Sequence, residues 1–316
     1  VFARFWETYK LDSISGQWDY IEPALFGYAA GKIIESFTNF YREYPRVIAQ
    51  FHEWMTGMGV LYLEKHAPWV ATAFTTHATV LGRSIAGNNR PLYSRLKEFN
   101  PVQTAHEFNV TSKQSLEKIS AQVADVFTSV SEITGRECEA FLGKKTDVIT
   151  PNGFEDTFVP APENFDAARR AAREKLLSVA QALLGYDLPA DTLLVSTSGR
   201  YEYRNKGIDL FLSSLGEVNR KTDSNRQCVA FILVPAYHKG PRQDLAAALA
   251  SGNRMNDGDK YLTHGLHYVN DDPVMNQLIK EGIHNIASEK VKVIFVPSYL
   301  NGNDGIFNME YYELLI

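Results

Sequence analysis

Short, nearly unbroken apolar runs recur along the chain, separated by stretches whose apolar positions repeat at a helical period. The runs read as strands: RVIAQFH (46–52), VATAFTT (70–76), ADVFTSVS (124–131), DVITPN (147–152), TLLVSTS (192–198), CVAFILVP (228–235) and VKVIFVP (291–297). Between them ALFGYAAGKIIESF (24–37) and SLEKISAQV (115–123) carry the spacing of amphipathic helices. A strand that is apolar throughout, rather than alternating, belongs to a parallel sheet covered on both faces. Strands of that kind alternating with helices predict an α/β fold.

The pattern breaks after the fourth run. TPNGFEDTFVPAPENFD (150–166) is rich in Pro, Asn, Gly and acid and reads as a linker. DAARRAAREKLLSVAQALLG (166–185) follows, Ala-rich and charged, with Gly185 placed as a helix C-cap. A second strand series then starts at 192. The boundary is expected near 151, giving domains 1–150 and 151–316. Residues 238–289 are polar and show no clear period, with SGNRMNDGDK (251–260) expected as a loop.

Composition narrows the function. A length of 316 residues suffices for two domains with their own cores, and 45% hydrophobic residues is ordinary for a globular chain. The net charge of −5 argues against nucleic acid or an anionic membrane as partner. Cys138 and Cys228 cannot build a disulfide framework and suit a reducing compartment, from which the cytoplasm is expected. No apolar run approaches the roughly 20 residues of a membrane span. The chain opens on Val1 and stops at NMEYYELLI, within an amphipathic period, so its ends read as those of a piece of a longer protein.

The first candidate chemistry is GRYEYRNKG (199–207), between a strand and a helix. Ligands of open parallel sheets bind beyond the carboxyl ends of the strands. There Arg200 offers a planar fork to phosphate oxygens, Lys206 a compact charge, and the helix after Gly207 its N-terminal N–H groups. That set suits a diphosphate; a solvated loop with surface bases is the alternative. In FTTHATVLGR (74–83), His77 and Arg83 occupy the corresponding place in the first domain. His77 is either a structural histidine or part of a binding site. FHEW (51–54) adds His52, Glu53 and Trp54, where Glu53 either meets sugar hydroxyls or caps the next helix. Asn152–Gly153 favours a tight turn at the domain crossing. There is no P-loop, no G-x-G-x-x-G, no H-E-x-x-H and no G-x-S-x-G.

Seven segments in one order resemble the glycogen synthases of the animal and fungal type: WETYKLDSISGQWDYIEPALFGYAAGKIIESF, AQFHEWMTGMGVLYL, FTTHATVLGR, ADVFTSVSEIT, DVITPNG, GRYEYRNKGIDLFLSSL and FVPSYLNGND. The resemblance runs from about residue 5 to 235 and again from about 290. It implies a GT-B fold, two Rossmann-like domains with parallel sheets facing a cleft, here incomplete at both termini. It implies transfer of glucose from UDP-glucose to the non-reducing 4-hydroxyl end of an α-1,4-glucan with retention. By the same resemblance Arg200 and Lys206 hold the donor diphosphate and stabilise the leaving UDP. Arg83 is a further phosphate-side arginine, His77 touches the donor glucose, Glu53 helps position the glucan, and Asn152 and Gly153 support the crossing. Neither cofactor nor metal is implied. The family's glycine-rich donor loop would precede Val1, and its acidic, aromatic motif with a key glutamate would follow Ile316. Residues 238–289 are shorter than the helical insertion those enzymes use for tetramer contacts, which leaves a homo-oligomer open. Another retaining GT-B transferase, or a non-catalytic glucan- or nucleotide-binding protein, would share much of this pattern.

Overall fold

The apolar runs do form parallel sheets. In the computed structural model, which describes residues 1–41, 46–221 and 226–316, the chain divides into two compact units, Val1–Gly153 and Phe154–Ile316.

Unit 1 carries one sheet of four parallel strands, β1 (Val47–His52), β2 (Val70–Thr76), β3 (Val126–Ser129) and β4 (Val148–Ile149), in that spatial order. Its helices are α1 (Phe2–Tyr9), α2 (Trp18–Phe40), α3 (Glu53–His66), α4 (Val80–Gly87), α5 (Pro101–Glu107), α6 (Thr111–Val123) and α7 (Glu132–Leu142). The core joins Phe51, Phe74 and Phe127 of the strands to Leu61, Leu116 and Phe141 of the helices. Two strands are shorter than the sequence pattern suggests. β3 starts only at Val126, because the Asp125 carboxylate, rather than a strand carbonyl, accepts from the Thr72 N–H at 2.7 Å. β4 ends early, because Pro151 has no N–H to continue the ladder.

Unit 2 carries a sheet of three parallel strands, β5 (Leu193–Ser198), β6 (Cys228–Leu233) and β9 (Val291–Val296), and a two-stranded ribbon of β7 (His238–Pro241) and β8 (His264–Leu266). β6 and β9 are buried along their whole length, as continuous apolar runs require. One face of the sheet packs on α8 (Pro162–Leu184) and α10 (Gln243–Ser251), the other on α9 (Ile208–Arg220) and α11 (Pro273–Glu281); α12 (Tyr311–Leu314) ends the order. α8 begins at Pro162, inside the stretch read as linker, since proline is favoured at the first helical position. It closes on Gly185 in the left-handed region, as expected. The unassigned stretch 238–289 proves to hold β7, α10, β8 and α11. Its helices are only 9 residues each, too short for a period to stand out.

Candidate functional site

In unit 2 the ends of three strands converge. Ser198, Gly199, Arg200 and Tyr201 at the end of β5, Leu233 and Pro235 at β6, and Ser298, Tyr299 and Leu300 after β9 line a cavity of about 360 Å³ together with Tyr311. Gly199 has φ 141°, a region open mainly to glycine, so the chain can turn sharply off the strand. The loop is then anchored by Tyr201. Its hydroxyl donates to Asp272 Oδ2 at 2.7 Å, and its ring meets Phe295 edge-on at 5.8 Å. Asp272 Oδ1 caps α11 through the Val274 and Met275 N–H groups. Burial, with the Asp272 hydrogen bond adding to it, pushes the Tyr201 phenol far above its ordinary range, so it stays a donor.

The cations themselves are exposed. Arg200 has a loose contact with Glu202 at 3.1 Å, and two-thirds of its side chain (67%) is open to solvent. Lys206 makes no ion pair among the described residues; it lies at the far end of the same loop, outside the cavity lining. Gly207 at φ 66° then starts α9, as the strand–loop–helix reading requires. Tyr299 and Tyr311 were not singled out from sequence; their signal was an aromatic just beyond a strand end and one in a terminal capping box. A second cavity, about 190 Å³, lies against β5 beside Arg169 and Arg173. Arg173 there donates to the Ala190 and Thr192 carbonyls and is not free for an anion.

In unit 1, His52, Glu53 and His77 do come together, at the ends of the neighbouring strands β1 and β2. His52 Nδ1 and His77 Nε2 are 2.9 Å apart, so one ring donates and the other accepts. That leaves Nδ1 of His77 for other contacts. Glu53 does not cap its own helix: the N-cap of α3 is His52, without a side-chain bond. Instead Glu53 Oε1 accepts from the His77 N–H at 3.1 Å. Burial raises its carboxyl pKa, opposed by the nearby Arg83 charge and the His77 N–H. Glu53 holds φ 63°; among the described residues the other non-glycine residues with positive φ are asparagines or, in Lys10, a helix C-cap. Such a backbone costs about 1–3 kcal/mol and persists where its surroundings enforce it. Arg83 projects from α4, exposed and without an ion pair among the described residues.

Asn152 and Gly153 are exposed and outside any turn. The Asn152 side chain has no hydrogen-bond partner among the described residues, and Gly153 is not in the positive-φ region a tight Asn–Gly turn would use.

Two successive α/β units, each with its candidate side chains beyond the carboxyl ends of parallel strands, define a two-domain α/β chain. The chain belongs to the glycogen synthase family, whose sequence model matches residues 2–243. Relatives include the glycogen [starch] synthase of Neurospora crassa, 27% identical over 97% of this chain and 51% of the relative. The Dictyostelium discoideum glycogen [starch] synthase is 30% identical over 93% of this chain and 40% of the relative. The liver glycogen [starch] synthase of Rattus norvegicus is 27% identical over 98% and 52%. The chain spans about half the length of the Neurospora and rat relatives and 40% of the Dictyostelium one. Among solved structures, the catalytic domain of starch synthase IV from Arabidopsis thaliana bound to ADP and acarbose covers 93% of this chain, and the match covers 56% of that one, at 15% identity and TM-score 0.46. No helix among the described residues is long and apolar enough to cross a membrane.

Proposed function

We propose that the protein transfers glucose from UDP-glucose to the non-reducing 4-hydroxyl end of an α-1,4-glucan with retention of configuration. Membership of the glycogen synthase family supports the reaction class. The observation that carries the assignment of residues is the basic loop 199–207, opening on a cavity of about 360 Å³ beyond β5.

Glycosyl transfer builds positive charge on the sugar and negative charge on the departing diphosphate. In this reading Arg200 forks the diphosphate oxygens and Lys206 adds a second positive charge as the UDP leaves. Fixed cations lower such a barrier because their attraction grows with the charge that develops. The positive end of the α9 dipole lies at the end of the same loop, its Ile208 and Asp209 N–H groups donating to the Tyr203 carbonyl. The rings of Tyr299 and Tyr311 suit the flat face of a nucleobase. Arg83 serves the phosphate side and His77 the donor sugar. Glu53 takes part on the glucan side, although its carboxylate also holds the His77 amide. No metal or organic cofactor enters the proposal.

The test is incorporation of labelled glucose into glycogen by the gene product, with UDP-glucose and ADP-glucose as alternative donors. Transfer from UDP-glucose to glycogen is expected. Transfer from ADP-glucose alone would overturn the donor, and UDP binding without transfer would favour a nucleotide-binding protein.

A further inference from the structure

His77 and Arg83 sit on one short connection, from the end of β2 to the first turn of α4, and several of its amides are held by side chains, two of them acidic. The His77 N–H donates to Glu53 Oε1 at 3.1 Å, and the Ala78 N–H reaches the same carboxylate. The Val80 N–H donates to Glu117 Oε2 at 3.0 Å. The Gly82 N–H donates to Thr79 Oγ1 at 2.9 Å, and that hydroxyl donates in turn to Glu137 Oε2 at 2.7 Å. Tyr93 completes Glu137 by donating to Oε1 at 2.8 Å. Only glycine fits at 82, because a Cβ there would collide with Glu137 Oε2 and Thr79 Oγ1.

Glu117 is the exception in this set. It is fully buried on α6, and while Oε2 holds Val80, Oε1 has no partner among the described residues. Buried acids are normally fully bonded or paired with a cation.

We propose that Glu117 is a positioning residue for the reaction, holding the Val80 N–H and so fixing the turn that presents His77 and Arg83. The inference rests on the glucosyl-transfer reading for what those two side chains do, but not for the holding itself. Burial favours the neutral form of Glu117, against the pull of the Val80 N–H toward the charged one. The charged groups around it are the carboxylates of Glu53 and Glu137, which disfavour a third negative charge, and Arg83, which favours it only weakly. Burial and the two carboxylates together hold its pKa well above the ordinary range. A neutral side chain keeps the carbonyl oxygen that Val80 needs and adds no charge beneath Arg83.

The experiment compares Glu117→Leu, which keeps the bulk and removes the acceptor, with Glu117→Gln, which keeps both the acceptor and neutrality. Amide hydrogen exchange over residues 77–83 is measured beside glucosyl-transfer kinetics and melting temperature. Glu117→Leu is expected to speed exchange across 77–83 by about tenfold or more. It is also expected to lower kcat by about tenfold to a hundredfold, with a smaller change in the KM for UDP-glucose. Glu117→Gln should match the unmodified protein in exchange and kcat. Unchanged exchange in a folded Glu117→Leu protein overturns the proposal. So does a Glu117→Gln protein with fast exchange or lost turnover, a result that stands even if the leucine variant does not fold. Should the unmodified protein transfer no glucose, the functional reading falls, and the exchange data alone decide whether Glu117 holds the loop.

Discussion

The two candidate loops solve the same problem in opposite ways. In unit 1 the connection 77–83 is fixed from beneath: Glu53, Glu117 and the Thr79 hydroxyl take its amides, Glu137 in turn takes that hydroxyl, and the side chains it presents are placed before any ligand arrives. In unit 2 the loop 199–207 is anchored chiefly at Tyr201, while Arg200 and Lys206 reach into solvent. The first arrangement suits contacts to a reacting sugar, where small displacements are costly. The second suits a doubly charged diphosphate, which supplies a partner to these exposed cations. Surface exposure of a cation therefore says little against a functional role when the anion supplies the missing partner.

The largest expected effect is in the exposed loop. Arg200→Ala and Lys206→Ala should each lower turnover by about a hundredfold or more, the scale of removing one group that stabilises transition-state charge. Melting temperature should stay unchanged, because neither side chain is packed. Near-normal kinetics in both would return them to a solvated face.

His77→Ala sharpens the contrast from the other side. Turnover should fall by at least about tenfold, more than the donor KM rises, with UDP affinity and melting temperature kept. The loop amides are held through the backbone, so removing the ring leaves them bonded. A sharp fall in melting temperature with normal turnover of the folded fraction would make the His52–His77 contact structural.

Glu53→Gln should act more gently. It keeps an oxygen for the His77 N–H, so the loop survives, and the expected change is a several-fold rise in the KM for glycogen with little change for UDP-glucose. Lower turnover with an unchanged glycogen KM would assign Glu53 to loop holding alone.

The smallest effect is a pH dependence of stability. The folded protein raises the Glu117 pKa above its ordinary value of about 4.5. From that pH upward the unfolded chain gives up a proton that the folded chain keeps, so stability falls as pH rises through this window. Glu117→Gln has no such proton. Its melting temperature should equal that of the unmodified protein near pH 4 and gain on it by roughly 2–4 °C per kcal/mol as pH rises. A constant difference at all pH values would mean that Glu117 is not kept neutral.

Much of the frame was legible because continuous apolar strands and Gly-marked turns are local signals. The strand ends named the two connections that carry Arg200, Lys206, His77 and Arg83, and both connections do follow strands of parallel sheets. What the sequence hid is the support beneath them. Glu117 and Glu137 lie far from residue 77 in the chain, and an acid in an amphipathic helix is usually read as solvated. Their positions did hold a clue. Glu117 falls on the buried stripe with Gln114, Ser120 and Ala121, and Glu137 on the one with Thr134, Cys138 and Phe141. An acid on a buried stripe needs a partner, and here the partners are an amide and a hydroxyl of a distant loop. Asn152–Gly153 erred the other way. A strong turn signal sits in an exposed stretch outside any turn, because two residues favouring a turn need flanking strands to close it.

The most direct measurement is UDP binding by titration calorimetry to the gene product and to its Arg200→Ala/Lys206→Ala double variant at matched ionic strength. If the exposed loop is the diphosphate clamp, the double variant should bind UDP at least about tenfold more weakly, a loss of about 1.4 kcal/mol or more, while uridine binds both proteins alike. Equal UDP affinity in the two proteins would contradict the assignment of loop 199–207 as the diphosphate site.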